Sequence, residues 1–283
     1  MKKVSIIFLL CLFLAPLNVY SEEAVIENFR NLLFVKFTST YNFIVLEQIP
    51  QEQSYYTNRP VDVGFGIGVK NIFAGFSMSL PFGYDSSYEK SSSFDLNFNR
   101  YAKNNYSNGF MKYYSGFNDG IEFSYELRII NLGYSKIFVF NDEHSIRSAY
   151  NLDQKQNISN GSFLLGGGMF FSSIKSDSSA LVDYSDSLNA FYTGPIFGYS
   201  YTIVFSNNFF INMLAAAGLN IINSGEFSYG IQALPKISAG YHSKKWSANI
   251  YSNCVYLINQ HNEALDYNLF SGNIGLSYIR RLL

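Results

Sequence analysis

The sequence predicts an all-β fold: an antiparallel transmembrane β-barrel of about 12 strands, alternatively 14, after a cleaved signal peptide. Three observations carry this expectation. Apolar residues alternate with small or polar ones along many segments. The 283 residues are 18% aromatic and 14% charged, the latter far below the roughly 25% of soluble domains, yet mean hydropathy is only +0.02. Beyond the N-terminus, no apolar run reaches the roughly 18 residues that a spanning helix needs. A helical membrane protein would be far more apolar. A barrel has one lipid face and one wet face, which averages to neutral hydropathy.

The N-terminus sets the expected compartment. Lys2 and Lys3 precede an apolar stretch, Ile6 to Ala15, of signal-peptide length. Cleavage after Ser21 gives a signal peptide at 1–21, a short periplasmic leader at 22–32 and a barrel domain at 33–283. Removing Lys2 and Lys3 leaves 18 basic against 21 acidic residues, a net charge of −3, so no basic patch suggests nucleic acid. Cys254 is the one cysteine left after cleavage, so an intrachain disulfide is excluded. A closed barrel has no need of one, because its hydrogen-bond ladder has no free edge. The expected location is the cell outer membrane, with membrane lipid and the barrel-assembly machinery as partners.

The alternation is clearest from Val61 to Leu80. Val61, Val63, Phe65, Ile67 and Val69 share one parity; Asp62, Gly64, Gly66 and Gly68 share the other. After Asn71 the pattern resumes with Ile72, Ala74, Phe76, Met78 and Leu80 opposite Phe73, Gly75, Ser77 and Ser79. Side chains alternate faces along a strand, so this hairpin has an apolar face and a small or polar one.

In chain order, Val35 to Val45 reads as the first strand, and a polar connection leads to the hairpin. Strands follow at 93–101 and 110–117, with a long extended segment ending at Phe140. Asn141 to His144 reads as a tight turn and Ser145 to Leu152 as a further strand carrying Arg147. Strands at 161–173, 191–205, 209–221, 231–241, 246–257 and 269–280 complete the set. These are thirteen segments, whereas single-chain bacterial barrels have an even number. Either a strand hides near 179–184, giving 14, or two segments form one irregular unit, giving 12.

Four stretches carry a resemblance: S-F-D-L-N-F-N-R-Y (93–101), K-Y-Y-S-G-F (112–117), S-A-Y-N-L-D-Q-K-Q (148–156) and G-S-F-L-L-G-G (161–167). In that order they resemble the domain of unknown function 4421 family of bacterial outer-membrane proteins, from about Tyr55 to the C-terminus. The resemblance implies a barrel and implies no activity.

The inward parity places Asp62, Asp95, Asn97, Asn99, Arg147, Asn212 and Lys236 on the lumen, with Asn220 and Asn249 beside them. Charged side chains there would set selectivity in a pore, or fill a narrow barrel with hydrogen bonds. His144, His242 and His261 fall in turns or loops, which suggests solvated imidazoles. The adjacent pair His144–Ser145 would point to opposite faces. No metal-ligand spacing or cysteine cluster is present in the sequence, so no cofactor is expected. The expected role is passive: a pore, a transporter of small solutes or a structural surface protein. The alternatives are a lipid- or lipopolysaccharide-modifying enzyme and an adhesin using the loops at 81–92 and 175–189.

Overall fold

The computed structural model describes residues 24–29, 33–48, 53–58, 60–80, 91–118, 124–176, 187–205, 208–224, 227–259 and 267–282. The expected signal peptide, His261 and most of the two long loops lie outside them.

The strands are β1 (Ile26–Asn28), β2 (Leu33–Gln48), β3 (Gln53–Thr57), β4 (Val61–Val69), β5 (Ile72–Ser79), β6 (Ser92–Tyr101), β7 (Asn105–Asn118) and β8 (Ser124–Val139). They continue with β9 (Gln154–Gln156), β10 (Asn160–Ser176), β11 (Ser187–Val204), β12 (Phe209–Asn223), β13 (Phe227–Ala233), β14 (Lys236–His242), β15 (Trp246–Asn259) and β16 (Tyr267–Leu282). A single helical turn, α1 (Ile146–Tyr150), lies between β8 and β9.

All pairings are antiparallel, and the sheet closes on itself. β16 pairs with β2 along its whole length, from Tyr267 opposite Gln48 to Leu282 opposite Leu33. β3 and β4 form one strand against β2, interrupted near Pro60, whose carbonyl still accepts from the Asn42 N–H at 2.6 Å. β13 and β14 likewise form one strand between β12 and β15, broken at Pro235. Proline has no N–H to give a ladder. Its carbonyl remains in use, accepting from the Cys254 N–H at 3.0 Å. With these two pairs each taken as one strand, the ring has twelve. The parity problem disappears because Ser145 to Leu152 is no strand of the wall.

At the loop end the circuit is narrower. β5 and β6 stop short, and β3 reaches past them to pair with β7, Tyr56 opposite Asn118 and Thr57 opposite Phe117. The wall there skips two strands. At the other end the connections at 70–71, 102–104 and 243–245 are short.

The outer face is apolar. Phe37, Phe65, Ile67, Val69, Phe98, Phe163 and Leu276 are exposed, while Gly66, Gly68, Asn212 and Asn220 on the opposite parity are buried. That is the surface inversion expected of a wall with lipid outside and polar groups inside.

The interior has three levels. At the loop end, Ile44, Leu46, Tyr55, Tyr114, Phe117, Leu127, Ile129, Ile174, Tyr192 and Ile222 form a buried apolar cluster. A chamber of about 300 Å³ with a mixed polar and apolar lining lies below it. At the short-turn end the chain between β8 and β10 folds into the mouth as a plug.

Candidate functional site: an occluded lumen and its plug

The segment 141–159 builds the plug from short-range polar contacts. Asn141 caps its entry, donating to the Asn160 side chain and the Gly161 carbonyl, both at 2.9 Å. Ser145 is the N-cap of α1: its hydroxyl accepts from the Ser148 N–H at 3.2 Å and donates to Gln154 at 2.6 Å. Gln156 accepts from the Ser145 N–H and donates to the Glu143 and Ile158 carbonyls. Arg147 pairs with Asp153 and reaches the Lys70 carbonyl at 3.1 Å. Leu152 turns the chain with φ +62° and is fully buried. β9 pairs with β1, so the leader's residues 26–28 brace the plug from outside the ring.

A helix of five residues has no stability of its own. The wall supplies it. The last carbonyls of a helix lack intrahelical donors, and here four strands provide them. Lys36 donates to the Tyr150 carbonyl at 2.7 Å. Ser238 and Asn249 donate to the Ala149 carbonyl at 2.8 and 2.9 Å. Arg281 donates to the Leu152 carbonyl at 2.6 Å. Packing completes the seat: Ala149 and Leu152 lie against Phe34, Phe73, Phe210 and Ile279.

The glycines of the opening hairpin make this seat possible. A methyl on Gly68 would overlap the Phe34 ring, and one on Gly66 the Phe73 ring. The two rings, with centroids 6.1 Å apart, lie stacked along the inner wall because those positions carry no side chain.

Two sequence expectations are corrected here. Ser145 to Leu152 is not a strand, and Arg147 is therefore not a wall residue; it belongs to α1 and faces the mouth. The alternation of Ile146, Ser148, Tyr150 and Leu152 reads equally as one helical turn once distant donors cap it. His144 and His242 are not solvated. His144 is buried with Nε2 2.9 Å from the Ser200 hydroxyl, and His242 with Nδ1 2.9 Å from that of Ser247. Burial pulls the His144 pKa down from 6.5 to about 4. Both serines are fully buried, at the seam between plug and wall.

The other expected lumen residues divide between two places. Asp95, Asn97, Asn99 and Lys236 line the chamber. Asp95 accepts from the Tyr114 hydroxyl at 3.3 Å and lies 3.8 Å from the Lys112 ammonium. Asn99 accepts from Asn108 at 2.8 Å. Lys236 sits 5.9 Å from the Tyr150 ring centroid. Asp62, Asn212 and Asn220 are buried in the inner wall. Asp62 accepts from the Ser93 hydroxyl at 2.7 Å, and Asn212 donates to Ser200 and Thr202.

Sequence reasoning missed Lys36, Lys112, Tyr150, Asn151 and Asn253, all of which line the chamber. Lys36 was readable: it is a lone cation on the parity opposite Val35 and Phe37. Tyr150 and Asn151 were not, because their place depends on the plug.

The motif S-A-Y-N-L-D-Q-K-Q thus forms the seated part of the plug, 148–156. The family described as "Domain of unknown function (DUF4421)" matches residues 24–279, the barrel and plug together. The chain belongs to the DUF4421 family. Several solved structures are similar to this DUF4421 barrel at low identity. The translocator domain of autotransporter NalP from Neisseria meningitidis is 13% identical, over 87% of this chain and 88% of that one, with a TM-score of 0.46. A bacterial polysaccharide outer membrane secretin is 8% identical, over 89% and 99%, at 0.43. The NanC porin is 9% identical, over 86% and 100%, at 0.35. No curated protein matches the chain in sequence. A closed antiparallel ring with an apolar exterior leaves no backbone group unpaired in lipid. The DUF4421 barrel therefore has the build of a membrane-spanning β-barrel.

Proposed function

We propose that this DUF4421 barrel is a gated conduit for small polar solutes, shut at rest by its own plug. The observation that carries the reading is the chamber itself. Asn, Lys, Thr and Tyr side chains line it, while the plug stops one end and the apolar cluster the other. A barrel filled only for rigidity has no use for a cavity that carries so many polar groups. Besides two apolar seats, Ala149 and Leu152 in one and Ile146 in the other, the plug is attached to the wall through hydrogen bonds. Such contacts can be exchanged for water when the segment moves.

Planar-bilayer conductance tests this. The intact protein is expected to be mostly silent with brief openings. A variant with residues 145–153 replaced by a Gly-Ser linker is expected to conduct steadily. Equal silence from both, in barrels that retain their heat-modifiable gel shift, would overturn the conduit reading in favour of a filled structural barrel.

A further inference from the structure

We infer that the chamber is a binding site for a small hydroxylated organic anion, a sugar acid in size and chemistry; the inference rests on the conduit reading and names its solute class. Five side chains lining the chamber hold polar atoms that are buried and lack a protein hydrogen-bond partner. Two are on the plug, Tyr150 Oη and Asn151 Nδ2; three are on the wall, Asn42 Nδ2, Asp95 Oδ1 and Asn253 Oδ1. Asn151 is 2% exposed and Asp95 9%. A buried polar atom left unpaired costs about 1–3 kcal/mol, so five around one cavity describe the imprint of something that pairs them. The set mixes donors with acceptors. A hydroxyl group can serve either, which a purely accepting or purely donating ligand cannot.

Charge selects among hydroxylated solutes. Three ammonium groups line the chamber. Lys36 is engaged by the Tyr150 carbonyl, and Lys112 lies beside Asp95. Lys236 faces the Tyr150 ring and forms no ion pair among the described residues. Of the three it alone has neither an ion pair nor a hydrogen bond among the described residues, and a carboxylate is the group that would supply both. Tyr101, Tyr106 and Tyr251, with Phe73 and Phe110, also line the chamber and give the ring of such a solute apolar surface to lie on. A volume of about 300 Å³ is at the lower bound of small-molecule pockets and suits a single ring.

Isothermal titration of the detergent-folded full barrel with glucuronate, glucose and glucosamine tests the inference. It is run on the wild type and on Arg281→Gln, in which the plug is loosened and the chamber reachable. Glucuronate is expected to bind about tenfold or more tightly than glucose, as a charge-assisted contact provides, and glucosamine most weakly. Lys236→Gln should erase the preference for the acid and Lys236→Arg should keep it. Glucose binding as tightly as glucuronate, glucosamine binding best, or no binding by any of the three in Arg281→Gln would each overturn the inference. The two readings fail separately. A barrel that conducts with its plug removed but shows no acid preference sinks the solute class alone. One that binds glucuronate yet never conducts sinks the conduit alone.

Discussion

Arg281 on β16 donates to the carbonyl oxygen of Leu152 at 2.6 Å, across the mouth of the barrel. The same guanidinium holds the Ser243 carbonyl at 2.7 Å and lies 3.4 Å from the centroid of the Phe29 ring. It therefore joins the wall, the plug and the leader at one point. Arg281→Gln strands buried carbonyls, each at about 1–3 kcal/mol, so plug opening should become about 10- to 100-fold more frequent. Amide exchange across residues 141–159 reads this directly. Unchanged protection there would show that the plug is held elsewhere.

Leu152 presents two opposing effects. Its φ of +62° costs a non-glycine residue about 1–2 kcal/mol. Its side chain is fully buried, and deleting a buried leucine costs about 2–5 kcal/mol. Packing outweighs strain, so Leu152→Gly should loosen the plug despite its easier backbone. Slower exchange in that variant would reverse the ranking.

Gly68 and Phe34 form a matched pair. Gly68→Ala should cost about 1–3 kcal/mol through overpacking, read as a lower unfolding temperature of the heat-modifiable band. Adding Phe34→Leu should recover part of the loss. A double variant worse than the sum of its parts would contradict the pairing.

His144 makes plug seating dependent on pH. Its pKa is about 4 in the folded protein against 6.5 free, because burial opposes the charged form. A depressed folded pKa means that the stabilisation is complete above pH 6.5, declines below it and is lost as pH falls through about 4. The full difference is on the order of 3 kcal/mol. Plug exchange should accelerate in that window and be flatter in His144→Gln. An identical profile in the two proteins would remove His144 from the account.

The wall was legible in the sequence because its rule is local. Val61 to Leu80 alternates with period two, and the structure places Phe65 and Ile67 outside and Gly66 and Gly68 inside. The plug was not legible. Five residues are too few to show a helical period, and the donors that stabilise α1 come from Lys36, Ser238, Asn249 and Arg281, far away in sequence. The histidines follow the same logic: a turn residue reads as solvated until Ser200 or Ser247 arrives from another strand. Glycine at 66 and 68 marks the small face of the hairpin in the sequence, but only the fold shows that the rings of Phe73 and Phe34 occupy the space there.

The closure of β16 against β2 also orders events in the life of the chain. The plug's carbonyls are taken up by the first wall strand and by three that follow β12, so until those last strands join, the segment 141–159 lacks most of its hydrogen-bond donors. Its docking is completed only when the ring is joined. A half-built barrel is thus necessarily an unlocked one, and a locked plug is a report, readable by protease or by exchange, that assembly has finished.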